Sequence, residues 1–295
     1  MKGKIIKGIA GFYYVYSYED GKTYTCHAVG KLRGNVKPLV GDECSFTVTD
    51  EDKIEGSLTG IIKRRNELIR PAVSNVDLMM IIFAVMNPEP NFYLLDKFLF
   101  FIEHEGLSPI LVFNKEDIEP EETSKISRIY KGIEAPIVFT SARENVHVDE
   151  LKDLIKGKTV AVAGPSGVGK STLINAIVGR EIMQTGEISV KTARGKHTTR
   201  HTELFKYEYD GEVSFILDTP GFTSLYLPKL SEGERVSDFY PEFAEYTHKC
   251  RFNGCIHDKE PDCEVKKAVE AGLISSERYL NYLKIVSEIK NSVKY

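Results

Sequence analysis

Three short segments stand in an order that few folds can accommodate. Asn114-Lys115-Glu116-Asp117 comes first, Gly164-Pro165-Ser166-Gly167-Val168-Gly169-Lys170-Ser171 follows, and Asp218-Thr219-Pro220-Gly221 comes last. Each closes an apolar run of strand character, at 110–113, 159–162 and 215–217. The middle segment also opens a helical stretch over 170–178. In that setting glycine-rich backbone curls its N–H groups around phosphates, and the helix start adds its positive end. The spacing therefore predicts a phosphate loop built from Gly164, Pro165, Ser166, Gly167, Val168 and Gly169. Lys170 is expected to reach the β- and γ-phosphates, Ser171 to bind Mg²⁺, and Thr172 to touch the α-phosphate.

The flanking segments add nucleotide identity and a metal carboxylate. Asp117 can accept from both guanine N1–H and the exocyclic amine, a pairing adenine cannot offer. Asn114 would brace the loop and Lys115 would lie along the base. Ser141 and Ala142 follow an apolar run at 135–139 and offer backbone to the guanine carbonyl. Asp218 ends its strand where a metal-assisting aspartate belongs, and Gly221 can give an N–H to the γ-phosphate. An ordinary GTPase carries the phosphate loop first and the guanine motif last. Here the order is reversed, and nothing after Gly221 supplies another Asn-Lys-x-Asp. The expected fold is thus an α/β P-loop GTPase domain in circularly permuted order.

Between Lys170 and Asp218 lies the basic stretch 192–201. A threonine there should bind Mg²⁺ and sense the γ-phosphate; Thr198 and Thr199 compete, with Thr199 preferred. Phe222 stands where a conventional GTPase often has a water-orienting glutamine. His197 is the nearest group in sequence with a pKa suited to that task. Lys170, Thr199 and His197 are accordingly the expected catalytic residues.

The rest of the chain divides around these motifs. Residues 1–66 read as about five short strands with β-branched and aromatic content, at 5–6, 11–17, 23–29, 44–48 and 60–63, and suggest an oligonucleotide-binding (OB-fold) barrel. Alternating strands and helices over 67–228 argue a mainly parallel sheet. Residues 229–295 turn polar and helical around Cys250-x4-Cys255-x-His257-x5-Cys263. Three thiolates and an imidazole at this spacing suit one tetrahedral, structural Zn²⁺ with no open position for catalysis. Cys26 and Cys44 are expected to be barrel residues instead. The net charge of −4 gives no global sign of a nucleic-acid binder, although 1–66 is locally basic. Lys2, Lys4 and Lys7 precede a tyrosine-rich stretch rather than an apolar core. The longest apolar run, 78–86, falls far short of the roughly 20 residues a span needs. A cytoplasmic chain without membrane contact is expected.

The permuted order, the preceding barrel and the following Cys/His knuckle together resemble the ribosome small-subunit-dependent GTPase family, RsgA or YjeQ. Gly195-Lys196-His197-Thr198-Thr199 and Asn66-Glu67-Leu68-Ile69-Arg70-Pro71 share in the resemblance, which covers essentially the whole chain. It implies GTP and GDP as ligands, the 30S subunit and its 16S rRNA as partners, a subunit-stimulated GTPase, and a monomeric chain. Two rival readings are an ATPase with an accidental Asn-Lys-x-Asp and a non-catalytic RNA module. Guanine-over-adenine binding separates the first, and turnover on small subunits the second.

Overall fold

The computed structural model describes residues 1–30, 36–69, 71–179, 202–218 and 227–292. Strands β1 (Lys2–Ile9), β2 (Phe12–Ser17), β3 (Thr23–Ala28), β4 (Glu43–Asp50) and β5 (Glu55–Ile61) close into a barrel in the order β1-β2-β3-β5-β4. Side chains alternate across a strand, so Ile5, Val15, Tyr24, Cys26, Phe46 and Leu58 meet inside. Cys26 and Cys44 are buried barrel residues, as expected, and burial pushes their thiols up to about 11 and about 12. The fifth strand lies earlier than the expected 60–63. Gly56 turns inward within it, and its missing Cβ lets the chain pass Cys26 and Phe46.

Contacts divide the chain into two compact units. The first comprises Met1–Met79, Asp149–Ala163 and Ile174–Phe222. It joins the barrel to three further strands in the order β11-β13-β12: β11 (Thr159–Ala163), β12 (Leu204–Tyr209) and β13 (Glu212–Asp218). β11 runs parallel to β13, with Val162 opposite Asp218, while β12 and β13 form an antiparallel pair. The joint is polar at its centre. Lys4 is 3% exposed and donates to Thr159 Oγ1 at 3.1 Å while pairing with Glu43 at 2.8 Å. Tyr16 packs edge-on against Phe215, 5.6 Å away.

A hairpin that the sequence did not suggest, β6 (Glu67–Ile69) with β7 (Ala72–Ser74), follows the barrel. Asp42 fastens it. This fully buried carboxylate takes Arg64 Nε at 2.7 Å and Nη2 at 2.8 Å, Ser74 Oγ at 2.6 Å and the Leu39 N–H at 2.7 Å. A buried carboxylate is tolerated only when paired and hydrogen-bonded in this way.

The second unit comprises Met80–Val148, Gly164–Leu173 and Thr223–Tyr295. It carries most of β8 (Leu78–Ala84) with β9 (Ser108–Asn114) and β10 (Ile137–Thr140), in the order β10-β9-β8. Every residue of β8 is buried, which is the mark of a strand covered on both faces. Helix α1 (Phe92–His104) is capped by Asn91, whose Oδ1 accepts the Leu94 N–H at 3.0 Å. Helix α2 (Glu122–Ile129) ends at Tyr130. Helix α4 (Lys170–Val178), of which this unit holds Lys170–Leu173, matches the sequence expectation to the residue, while α3 (Val148–Ile155) belongs to the first unit from Asp149 onward. The tail folds as two 3₁₀ turns (Val236–Phe239 and Pro241–Phe243), α5 (Ala244–Thr247), α6 (Glu264–Glu270) and α7 (Ser276–Ser292). Its core joins Tyr240, Phe243, Val265, Tyr282 and Ile285 to Phe100 of α1. No helix among the described residues is long and apolar enough to cross a membrane.

Candidate nucleotide site and metal cluster

Asn114 ends β9 and is 2% exposed. β10 runs parallel to β9 with Thr140 opposite Asn114, so Ser141 and Ala142 emerge beside it. The Asn114 side chain satisfies three groups. Its Nδ2 donates to the Val168 carbonyl at 2.9 Å, and its Oδ1 accepts the Ala142 N–H at 2.9 Å and the Thr140 hydroxyl at 3.3 Å. One amide thus ties the guanine motif, the Ser141-Ala142 turn and the phosphate loop together. The approach is so close that a Cβ on Gly169 would lie 2.4 Å from Asn114 Nδ2. Gly164 is equally constrained: at φ 141° its Cβ would meet the Ile82 carbonyl oxygen at 2.0 Å.

Lys115 follows on the same loop and is half-buried. Its Nζ donates to the Gly167 carbonyl at 2.8 Å and also to the Asn87 carbonyl. The stem therefore lies beside the phosphate loop with its charge anchored on backbone. Asn87 was not legible as part of the site, because its contribution is a carbonyl that any residue has. The Glu116 N–H donates to the Thr140 carbonyl at 3.1 Å, which sets Asp117 in the following turn. Asp117 is exposed, and its carboxylate makes no hydrogen bond or ion pair with the described residues.

In the phosphate loop Ser166 and Gly167 are exposed, Pro165, Gly169, Lys170 and Ser171 are half-buried, and Val168 is fully buried. Val168 anchors the loop while its neighbours face outward. Lys170 Nζ donates back to the carbonyls of Gly164 at 2.9 Å and Pro165 at 2.6 Å, which folds its stem over the loop. Ser171 and the exposed Thr172 lie in the first turn of α4, where N–H groups have no partner within the helix. Asp218 is the last residue of β13. His197, Thr198, Thr199, Gly221 and Phe222 lie outside the described residues.

The Cys/His spacing closes into a cluster. The ligand atoms of Cys250, Cys255, His257 and Cys263 all lie within 4.8 Å of one another. His257 Nδ1 is 3.3 Å from Cys263 Sγ and 3.7 Å from Cys250 Sγ, and the two sulfurs are 3.9 Å apart. A tetrahedron with Zn–S of about 2.3 Å has edges of about 3.8 Å, so the four atoms fit one zinc ion. Burial pushes the Cys255 thiol up to about 12 and raises Cys263 too, which favours the protonated form of these two thiols without a cation. Burial lowers His257, which favours the neutral imidazole that a metal requires. Tyr279 and Tyr282 of α7 donate to the carbonyls of His257 and Ile256, each at 2.7 Å, and hold the knuckle's backbone.

A model of the RsgA GTPase family matches residues 61–228, and a model of the RsgA N-terminal domain matches residues 2–56. The chain belongs to the RsgA GTPase family. It is 47% identical to the small ribosomal subunit biogenesis GTPase RsgA of Agathobacter rectalis, over 100% of both chains. The protein of that name from Alkaliphilus metalliredigens is 44% identical over 100% of this chain and 99% of its own. Among solved structures, YjeQ from Thermotoga maritima superposes with a TM-score of 0.81 at 34% identity, covering 98% of each chain. YloQ, described as a circularly permuted GTPase, gives 0.79 at 33% identity over 99% of this chain and 95% of its own. As a member of the RsgA family the chain is a GTP hydrolase with a circularly permuted GTPase fold, an OB-like barrel before it and a zinc-compatible cluster after it.

Proposed function

We propose that this GTPase binds the small ribosomal (30S) subunit, is stimulated by it, and assists or checks its late maturation. The single observation that carries the nucleotide site is Asn114, which aligns the guanine motif, the Ser141-Ala142 turn and the phosphate loop at once. In this reading Asp117 pairs with the guanine edge, Lys115 lines the base, and the backbone of Ser141 and Ala142 meets its carbonyl. The N–H groups of 164–169 hold the phosphates with Lys170, Ser171 and Thr172. Ser171, Asp218 and Thr199 would hold Mg²⁺, which when bound neutralises charge on the β- and γ-phosphate oxygens. His197 orients the water that attacks the γ-phosphorus; the bond to the bridging oxygen breaks, leaving GDP and phosphate. Gly221 gives its N–H to the γ-phosphate until that group departs.

Three segments divide the labour: a barrel over 1–66 that contacts 16S rRNA, the GTPase domain over 67–228, and a helical zinc domain over 229–295. Support for the last comes from the fit of Cys250, Cys255, His257 and Cys263 to one structural Zn²⁺, which leaves no ligand position for substrate. The names of the curated relatives support the ribosomal partner. The protein works as a monomer in the cytoplasm. GTP turnover with purified 30S subunits, with 50S subunits and with neither tests the proposal. Stimulation by 30S alone is the expected result. Turnover unchanged by 30S, or raised equally by 50S, would overturn it.

A further inference from the structure

Asp96 is a carboxylate on the buried face of α1. Leu95, Phe98, Leu99, Phe100 and Ile102 are buried on the same helix, and a charge among them survives only if fully paired. Its partners come from far along the chain. Arg278 Nη1 donates to Oδ1 at 2.7 Å, Asn281 Nδ2 to Oδ2 at 2.7 Å, and the Tyr130 hydroxyl to Oδ1 at 3.1 Å. Arg278, itself 3% exposed, also pairs with Glu242 at 2.6 Å, and its guanidinium lies 4.8 Å from the Tyr240 ring. Tyr130 ends the helix that follows the guanine motif. Arg278 and Asn281 belong to α7, whose tyrosines hold the metal knuckle. The other end of α1 leads to the nucleotide site: just before its cap at Asn91, the Asn87 carbonyl accepts Lys115 Nζ, which also holds the Gly167 carbonyl.

We propose that Asp96 is the joint through which a bound guanine nucleotide tightens the C-terminal tail, an inference that rests on the nucleotide site assigned above. A base that fixes Lys115 also fixes Asn87 and the start of α1. The helix is stiff, so Asp96 carries that constraint to Arg278 and Asn281, and α7 passes it to the knuckle. Asp96 is a positioning residue and touches no nucleotide. The route runs through the guanine side of the site.

Hydrogen exchange on the full, zinc-loaded chain with and without GDP tests this, read at peptides covering 236–243 and 276–292. N-methylanthraniloyl-GDP is titrated in parallel. Couplings of ordinary size change an equilibrium about 5- to 150-fold, so GDP should slow exchange of the wild-type tail at least about fivefold. In Asp96→Asn that ratio should fall below about twofold while the analogue binds within about threefold of wild type. Tyr130→Phe, which removes one hydroxyl, should also lower the ratio and serves if Asp96→Asn misfolds. Wild-type tail exchange that ignores GDP overturns the proposal. So does a variant ratio equal to wild type, because a merely structural Asp96 would speed exchange equally in both states. Failure of the analogue to bind wild type would instead overturn the nucleotide site itself.

Discussion

Replacing Asn114 removes the bracket between three loops, and its cost can be worked from the geometry. The side chain donates to the Val168 carbonyl and accepts the Ala142 N–H, both at 2.9 Å, while the Thr140 contact at 3.3 Å is long. Alanine deprives the first two groups of these partners. A stranded buried group costs about 1–3 kcal/mol, which holds in full for the Val168 carbonyl and less for the half-buried Ala142 N–H, so the pair costs about 2–4 kcal/mol. Only part of that reaches nucleotide affinity, because the bracket also orders the empty loops. Taking about 2 kcal/mol, GDP affinity falls about 30-fold. Asn114→Asp is the sharper probe. It keeps an acceptor for Ala142 but turns an oxygen toward the Val168 carbonyl, and should lose at least as much as alanine. Titration of N-methylanthraniloyl-GDP reads the loss, with circular dichroism to verify the fold. If both variants were folded and bound within about threefold of wild type, the bracket would not govern the site.

Three further outcomes concern other parts of the molecule. Asp42→Ala takes the acceptor from the buried Ser74 hydroxyl and from one side of Arg64, which keeps Glu67 at 2.6 Å and the Lys37 carbonyl at 2.7 Å; a lost hydrogen bond to a charged group costs about 1.5–3 kcal/mol, so the urea midpoint should fall without a change of slope. An unchanged midpoint would mean the network adds nothing to stability. Chelating the metal should make Cys250, Cys255 and Cys263 reactive toward a thiol reagent while Cys26 and Cys44 stay protected inside the barrel. Metal affinity should also fall as pH falls, because the cation must displace protons from thiols that burial holds up to about 12 at Cys255. Equal reactivity of all five thiols with or without chelator, or pH-independent affinity, would contradict that assignment.

What was legible in the sequence was whatever a short contiguous segment does with its own backbone. The helix over Lys170–Val178 is readable because apolar spacing behind a glycine-rich turn fixes it locally. The metal ligands were readable because four soft or borderline donors within one short stretch have few other uses. Distant partners were not. Nothing near Lys115 points to Asn87, and nothing near Asp42 points to Arg64. The fifth barrel strand begins earlier than its sequence suggests because Gly56 fills a core position with no side chain, which erases the alternation a strand normally shows. Asp96 did leave a signal: an acid flanked by Phe92, Leu95, Leu99 and Phe100 at helical spacing lies on an apolar face and needs a partner. The sequence could say that a partner was required but not that it was Arg278.

That partner has a further meaning for how the chain is made. Arg278 and Asn281 lie 182 and 185 residues after Asp96. At about 5–20 residues per second, a ribosome needs roughly 10 to 40 s to supply them once Asp96 has been built in. Throughout that interval the guanine motif and then the phosphate loop are synthesised, while the carboxylate must stay hydrated and α1 cannot settle onto its final neighbours. Helix α7, made after both nucleotide motifs, therefore closes the second unit, so a nascent chain completes its nucleotide-side body only well after the residues of the site have themselves been built.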